Sequence, residues 1–89
     1  MSKNKIRLFA SLDCRSCLKL MTLLNRAKIS FKYIDAFKDE TQKLCDDNNV
    51  NDLPHMQILD EKNEVIAEHV GFLEAEQLVN YIDQFFPHS

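Results

Sequence analysis

The 89-residue sequence contains one glycine, two prolines and no tryptophan. This scarcity excludes collagen-like and low-complexity disordered proteins, which are rich in glycine and proline. No apolar run approaches the roughly 18 residues that a membrane-spanning helix needs. The net charge is −3 and lysine and arginine form no cluster, which argues against nucleic acid as the main partner. A composition of 45% hydrophobic and 28% charged residues instead predicts a folded, soluble protein.

The start of the chain lacks the pattern of a secretory leader. Its basic first residues are followed only by an interrupted apolar stretch at positions 6–12, without a small-residue cleavage site. The three cysteines, Cys14, Cys17 and Cys45, also differ from the dense, even set of a small secreted domain. We therefore expect a cytoplasmic, reducing location. In such a compartment a Cys-x-x-Cys pair is more often catalytic or metal-binding than structural.

Four segments have the composition of β-strands. Positions 6–10 form a short apolar run, and positions 30–35 are rich in aromatic and β-branched residues. Positions 55–59 and 64–68 are separated by a short polar loop and so predict a hairpin.

Three segments predict helices. Asp13 is the predicted N-cap of the first, and Asp39 to Gln42 resemble the capping-box start of a second helix that ends near Asn48-Asn49. A third helix follows Gly71. The apolar stripes lie at Cys17, Leu20, Met21 and Leu24 in the first helix, and at Leu78, Tyr81, Ile82 and Phe85 in the last.

The resulting order, β-α-β-α-β-β-α, predicts an α/β fold. The first strand, helix and second strand form a right-handed crossover with parallel strands, and the hairpin adds antiparallel strands. We therefore expect a four-stranded mixed sheet with helices on both faces, formed by residues 1–89 as a single domain.

Cys14 and Cys17 lie where the first strand leads into the first helix. A helix N-terminus offers unpaired N–H groups and a partial positive charge, which stabilise a thiolate there. Cys14 is at the exposed end and Cys17 lies one turn further along, on the core-facing stripe. This placement predicts Cys14 as the attacking nucleophile and Cys17 as the resolving thiol, with the cation of Arg15 favouring the thiolate and Asp13 opposing it.

This pattern resembles the thioredoxin and glutaredoxin superfamily over nearly the whole chain. The shared features are the Cys-x-x-Cys after the first strand, Leu53-Pro54 before the third, and Gly71 before the last helix. The compact length is similar to that of a glutaredoxin. The resemblance implies a thioredoxin fold with a cis Leu53–Pro54 peptide bond facing the cysteines.

The resemblance also implies thiol–disulfide oxidoreductase activity in electron transport and cell redox homeostasis. Leu53 and Pro54 would contact a substrate peptide or glutathione through the backbone, with Arg15, Gly71, Phe72 and Glu74 as further glutathione or substrate contacts. No permanently bound cofactor is implied. The expected reductant is glutathione, or alternatively a flavoprotein reductase, and the protein is expected to be a monomer. Its substrates would be glutathione-mixed disulfides or a disulfide protein such as ribonucleotide reductase.

Several positions depart from the family pattern. Arg15-Ser16 stands between the cysteines where glutaredoxins commonly have Pro-Tyr or Pro-Phe. The basic residue often found three positions before the first cysteine is replaced by Ser11, and a single Gly71 replaces a Gly-Gly pair. These departures affect glutathione specificity more than thiol–disulfide exchange.

A second class of function is a non-catalytic domain on the same fold that binds metal or acts as an adaptor. A zinc site would need two ligands besides the cysteine pair. An iron–sulfur site is less strongly favoured, because the family members that share a cluster between two subunits usually lack the second cysteine. The zinc candidates are Cys45, His55, His69 and His88.

Two further residues have a structural and a functional interpretation. Cys45 lies on the apolar side of the second helix, which favours a buried, inert thiol over a regulatory one. His55 directly follows Pro54, and the simpler expectation is a histidine at the start of a strand that points to solvent. The alternative is a proton-handling role at the active site.

Overall fold

The computed structural model describes residues 3–86 and has the element order predicted from the sequence. Among these residues, no helix is long and apolar enough to cross a membrane. The strands are β1 (Lys5–Ala10), β2 (Lys32–Asp35), β3 (His55–Leu59) and β4 (Val65–Val70), and the helices are α1 (Arg15–Arg26), α2 (Gln42–Asp47) and α3 (Ala75–Asp83).

The four strands form one mixed sheet in the order β2-β1-β3-β4. β1 runs parallel to β2 and antiparallel to β3, and β3 runs antiparallel to β4. The predicted crossover and hairpin are therefore confirmed. All five residues of β3 are buried, whereas all six residues of β4, which is an edge strand of the sheet, are exposed or half-buried.

Helices cover both faces of the sheet, as predicted. Side chains of α1 and α3 pack with Leu8 and Met56 in the larger core cluster on one face. On the other face Phe9 packs with Ile34 and with Cys45 of α2 in a smaller cluster. Because successive residues of a strand point to opposite faces, Leu8 and Phe9 belong to different layers.

The predicted second helix, positions 39–48, is shorter than expected. It is preceded by a 3₁₀ turn at Asp39–Thr41, and no side chain caps that turn. The Thr41 hydroxyl instead donates to the carbonyls of Asp35 and Lys38, an alternative to regular helical bonding that keeps the chain in a turn. The end of α2 agrees with the prediction, because Asn49 has the left-handed φ of 54°.

The last helix also ends earlier than the apolar stripe suggested. Leu78 and Ile82 are buried as predicted, but α3 ends at Asp83 and Phe85 lies in the following turn. The Phe85 ring still packs against Tyr81, with ring centroids 5.4 Å apart. The stripe therefore predicted the apolar packing of Phe85 better than its backbone conformation.

Candidate functional site

The cysteine pair lies at one end of the sheet, where the ends of β1, β2 and β4 and the start of β3 meet. We call this end of the sheet the cysteine edge. Phe9 pairs with His55, and His55 pairs with Val70, so the end of β1, the start of β3 and the end of β4 are neighbours. The end of β2 joins them because the Ala36 N–H donates to the Ala10 carbonyl at 3.0 Å. The loops leading to Cys14, from Pro54 and into Gly71 therefore all leave the sheet at this edge.

Cys14 is itself the N-cap of α1. Its backbone is extended, and its Sγ accepts a hydrogen bond from the Cys17 N–H at 3.3 Å. The prediction that Asp13 caps this helix is therefore wrong. Ser11 holds the preceding turn, since its Oγ accepts from the Asp13 N–H and its carbonyl accepts from the Cys14 N–H, both at 3.2 Å. This turn delays the first helical residue to Arg15.

The position of Cys14 favours its thiolate. Partial burial raises the pKa of the thiol, but hydrogen bonds from the Cys17 side chain and backbone and from Ser16 outweigh burial and lower the pKa below its ordinary value. The Ser16 Oγ lies 3.9 Å from the Cys14 Sγ. Neither Arg15 nor Asp13, whose charges we expected to compete, is among the causes of this shift. Hydrogen bonds at the helix start therefore set the acidity of Cys14.

Cys17 has the opposite environment. It is fully buried in the larger core cluster. Burial, the hydrogen bond that it makes to Cys14 and the charge of Cys14 together raise its pKa to about 11, although a hydrogen bond from the Ser11 backbone opposes the rise. The two thiols of one Cys-x-x-Cys are thus differentiated into an acidic, accessible sulfur and a protonated, buried one.

Ser11 and Ser16 are contributors that the sequence analysis did not identify. Hydrogen bonds from the Ser16 hydroxyl and backbone lower the pKa of Cys14. A hydrogen bond from the Ser11 backbone lowers the pKa of Cys17. The signal for Ser16 was a hydroxyl residue in the first turn of a helix, a position from which it can reach the cap. From the sequence, Ser11 was notable only because it stands where many family members have a basic residue.

The difference between the thiols predicts selective alkylation. When the protein is treated at pH 6.5 with less than one equivalent of iodoacetamide, we expect Cys14 to carry almost all of the alkyl label. With a pKa of about 11, Cys17 is almost entirely protonated at this pH. Burial, followed by the charge of Asp46, raises the pKa of Cys45 as well. Peptide mass spectrometry after quenching measures the distribution, and comparable labelling of Cys45 and Cys14 would contradict it.

The Leu53–Pro54 peptide bond is cis, as the resemblance implies. The Pro54 carbonyl accepts a hydrogen bond from the Gly71 N–H at 2.8 Å, which joins the two loops beside the cysteines. Gly71 has a φ of +100°, and a Cβ added to it would meet no atom within 4 Å. Glycine is therefore favoured at this position by its positive φ, and not by the close approach of another group.

Leu53 and Phe72 are half-buried and pack against the same core cluster as Cys14. Leu53 also packs against the smaller cluster, so it lies at the boundary between the two layers. The structure thus brings Leu53, Pro54, Gly71 and Phe72 to the edge of the sheet that carries Cys14.

Arg15 and Glu74 are placed differently from these residues. Arg15 is exposed and makes no side-chain hydrogen bond or ion pair with another residue in the 3–86 range. Glu74 is the N-cap of α3, and its carboxylate and the Gln77 side chain form a reciprocal capping box. Glu74 also lines a shallow groove against α1 residues such as Leu18. Its carboxylate is therefore already engaged in starting a helix.

His55 is buried, so the expectation that it points to solvent is wrong. Its ring packs edge-on against Phe9, with centroids 5.8 Å apart, on the sheet face opposite to the cluster that holds Cys17. Its Nε2 lies 2.7 Å from Glu68 Oε1. This placement does not support a proton-handling role at the cysteines, because the ring and Cys17 belong to different layers.

Cys45 is buried, as predicted, with its thiol 4.0 Å from the Ala36 carbonyl. Its inertness stays a prediction.

Within residues 3–86, no three side chains of histidine, cysteine, aspartate or glutamate come together in a way that could hold a metal ion. The candidate ligand His88 lies outside the described residues. Two of the remaining zinc candidates, Cys45 and His55, are separated from Cys17 by the sheet, because they lie on its opposite face. His69 lies on the Cys17 side, where it pairs with Met56 and packs against Tyr81.

Exposed apolar side chains surround the cysteine edge. Leu12, after β1, is 66% exposed, and Phe37, after β2, is 73% exposed. Val70, the last residue of β4, is 49% exposed. We call these three residues the apolar collar. All three lie at or just after the carboxyl ends of their strands, at the same end of the sheet as the cysteine pair.

No protein-family model matches the chain, and a search of curated protein sequences finds no match either. Solved structures do match. A mutant thioredoxin from Halobacterium salinarum NRC-1 is 20% identical with a TM-score of 0.81, over 99% of this chain and 79% of that one. The germline-specific thioredoxin Deadhead from Drosophila melanogaster is also 20% identical, with a TM-score of 0.74 over 93% of this chain and 81% of that one.

Thioredoxin f2 from Chlamydomonas reinhardtii is 17% identical with a TM-score of 0.75, over 100% of this chain and 84% of that one. The chain therefore has the thioredoxin fold, which confirms the predicted fold class.

Proposed function

We propose that this protein is a thiol–disulfide oxidoreductase that acts through Cys14 and Cys17. The observation that carries the proposal is the cap geometry, in which Cys14 Sγ accepts the Cys17 N–H at 3.3 Å and has a lowered pKa. A buried thiol with a pKa of about 11 lies one turn away. The thioredoxin fold supports the proposal, since its matched structures include thioredoxins.

The reaction transfers two electrons from the dithiol to a disulfide. The Cys14 thiolate attacks one sulfur of the substrate, the substrate S–S bond breaks, and one substrate thiolate leaves. Cys17 then loses its proton and attacks Cys14 in the mixed disulfide. The second substrate thiol leaves as the Cys14–Cys17 bond closes.

The causes of the raised Cys17 pKa explain why Cys17 attacks only after Cys14 has reacted. Two of the effects that raise its pKa are a hydrogen bond to Cys14 and the charge of Cys14. Once the Cys14 sulfur is part of a mixed disulfide it is neutral, so its charge no longer opposes ionisation of Cys17. The resolving thiol therefore becomes more acidic at the stage where it must attack, and the leaving substrate thiolate can accept its proton.

The apolar collar favours protein disulfides over small ones as substrates. Leu12, Phe37 and Val70 offer contact area that a peptide chain around a disulfide can cover. Disulfide proteins with an exposed target, of which ribonucleotide reductase is an example, fit this chemistry. Glutathione-mixed disulfides are the second class of substrate. Their proposed contacts are Leu53, Pro54, Gly71 and Phe72.

We propose glutathione as the reductant that regenerates the dithiol, in a protein that works as a monomer in the cytoplasm without a permanently bound cofactor. Two glutathione molecules would reduce Cys14–Cys17 and leave as one oxidised glutathione, so atoms and electrons balance. A flavoprotein reductase is the alternative electron source.

The test is a turnover assay with two substrates and two electron sources. A protein disulfide and a glutathione-mixed disulfide are each reduced with glutathione or with thioredoxin reductase. We expect turnover with glutathione and a higher kcat/KM for the protein disulfide. Turnover with the reductase alone would overturn the proposed reductant, and turnover with neither source would overturn the proposed activity.

The double variant Leu12→Ser, Phe37→Ser separates the substrate classes in the same assay. Both side chains are exposed, so we expect little change in stability. The KM for the protein disulfide should rise severalfold while the constants for the small disulfide stay within a factor of two. Equal effects on both substrates would contradict a role of the apolar collar in protein recognition.

A further inference from the structure

A large groove lies at the end of the molecule opposite to the cysteine edge. Its volume is about 760 Å³, and it is enclosed by the start of β1, the turn after α1, the start of β2 and the end of α3. The larger apolar side chains of its lining are Ile6, Ile29, Phe31, Val79, Ile82 and Phe86. Small-molecule sites in proteins are concave, mostly apolar and roughly 300–1,000 Å³ in volume, so the groove has the dimensions of a ligand site.

Cations surround this apolar surface. Lys5, Lys28 and Lys32 line the groove, and Asp83 is the carboxylate among its described lining residues. The local excess of positive charge contrasts with a net charge of −3 for the chain. The groove is therefore complementary to a molecule that joins an apolar body to an anionic group.

Two of the three lysines are not engaged by other described residues. The Lys5 Nζ donates to Asn63 Oδ1 at 2.6 Å, which fixes it toward the β3–β4 loop. Lys28 and Lys32 are exposed and have no side-chain hydrogen bond or ion pair within the part of the chain that the structure describes. Their ammonium groups are therefore available to a bound anion.

The backbone at Lys28 adds a second observation. Lys28 follows the C-cap of α1 with a φ of 58°, a left-handed position that favours glycine or asparagine. The turn is closed by the Ile29 N–H, which donates to the Leu24 carbonyl at 2.9 Å. Lysine thus occupies a position where its backbone conformation is unfavourable and where its side chain lies at the rim of the groove.

We propose that this groove binds a small amphipathic monoanion, a carboxylate with an alkyl body of medium length. The alkyl chain lies on the apolar lining, and the carboxylate meets the ammonium groups of Lys28 and Lys32. This site is separate from the thiol chemistry, because the groove and Cys14 lie at opposite ends of the parallel strands β1 and β2. Its volume suits one small molecule rather than a lipid surface or a protein segment.

The experiment is an NMR titration of the full ¹⁵N-labelled chain with three ten-carbon probes, decanoate, decanol and decylamine, each below its aggregation limit. We expect decanoate to shift amide signals around the groove, those of Ile29, Phe31 and Val79 among them. Decanol should bind more weakly and decylamine least. The Cys14→Ser variant should bind decanoate like the unmodified chain, so the result does not depend on the proposed redox function.

Charge-removing variants identify the anion contact. Lys28→Asn with Lys32→Gln removes both ammonium groups, and asparagine tolerates the left-handed backbone at position 28, so the fold should be retained. Two exposed charge contacts predict a roughly fivefold to tenfold loss of decanoate affinity with decanol affinity unchanged. The matched control is Lys38→Gln, an exposed lysine beyond the other end of β2, which should change neither.

Several results would overturn the proposal. They are the absence of shifts near the groove, equal affinity for decanoate and decanol, or a double variant that binds decanoate like the unmodified chain. Binding to anionic vesicles without binding to monomeric decanoate would assign the surface to a membrane instead and would also overturn it.

Discussion

The Cys14→Ser variant should lose disulfide reduction down to the uncatalysed rate, whereas Cys45→Ser should keep nearly all of it. Cys14 combines accessibility with a lowered pKa, and a serine hydroxyl at the same helix cap is not ionised at neutral pH. Cys45 is buried on the other face of the sheet, and burial raises the pKa of its thiol. The assay with a protein disulfide described above measures both variants.

A third variant, Cys17→Ser, tests the order of the two steps. Cys14 can still attack, but no resolving thiol follows, so we expect the protein to accumulate as a mixed disulfide with its substrate. Non-reducing electrophoresis and intact mass measure that adduct. Accumulation with Cys14→Ser instead would reverse the assigned roles. Equal loss of activity in the Cys14 and Cys45 variants would contradict the expected inertness of Cys45.

The position of the cysteine pair could be predicted from sequence because it depends on local pattern. A short apolar run followed by an apolar stripe of helical spacing fixes where the strand ends and the helix begins. The roles of Cys14 and Cys17 follow from that boundary, since one lies at the helix end and the other one turn inward. The identity of the cap could not be predicted, because it depends on the Ser11 hydrogen bonds that form only in the folded turn.

The parallel crossover and the antiparallel hairpin were predictable for a similar reason, whereas the surroundings of single side chains were not. A crossover and a hairpin leave few ways to arrange four strands. His55, by contrast, looked solvated because it starts a strand after a proline. Its burial arises from strand register, which places Phe9 beside it in β1 and Glu68 diagonally across in β4. Such long-range pairs leave no periodic signal in the sequence.

The same register forms a polar network centred on Gln57, which is 1% exposed, while its partners Arg7 and Asn48 are half-buried and Glu68 is exposed. The Gln57 Oε1 accepts from Arg7 Nη2 at 2.6 Å and from Arg7 Nε at 2.9 Å. Its Nε2 donates to Glu68 Oε1 at 2.9 Å and to Asn48 Oδ1 at 3.1 Å. Glu68 also meets His55, so one amide connects β1, β3, β4 and the end of α2. Losing it would remove all four of these hydrogen bonds, although Glu68 would keep its contact with His55 and Arg7 its bond to Asn48.

Gln57→Ala should therefore lower the free energy of unfolding by about 2–3 kcal/mol, through the loss of these hydrogen bonds and of a fully buried side chain. For a chain of this size that is a large part of a total on the order of 5–10 kcal/mol. Urea unfolding measures the change. The matched control is Gln84→Ala, an exposed glutamine whose removal should change stability by less than about 0.5 kcal/mol. A loss for Gln57→Ala no larger than that of the control would contradict the network's contribution.

The pH dependence separates the network from simple packing. Hydrogen bonds from Gln57 and then His55 lower the pKa of Glu68 below its ordinary value. A depressed carboxyl pKa stabilises the folded state above the unfolded pKa, and this contribution disappears as the pH falls through the folded pKa. Gln57→Ala removes the largest cause of that depression. The stability difference between the two proteins should therefore shrink as the pH falls from 7 through the range where Glu68 protonates, whereas a purely steric cavity would leave the difference constant.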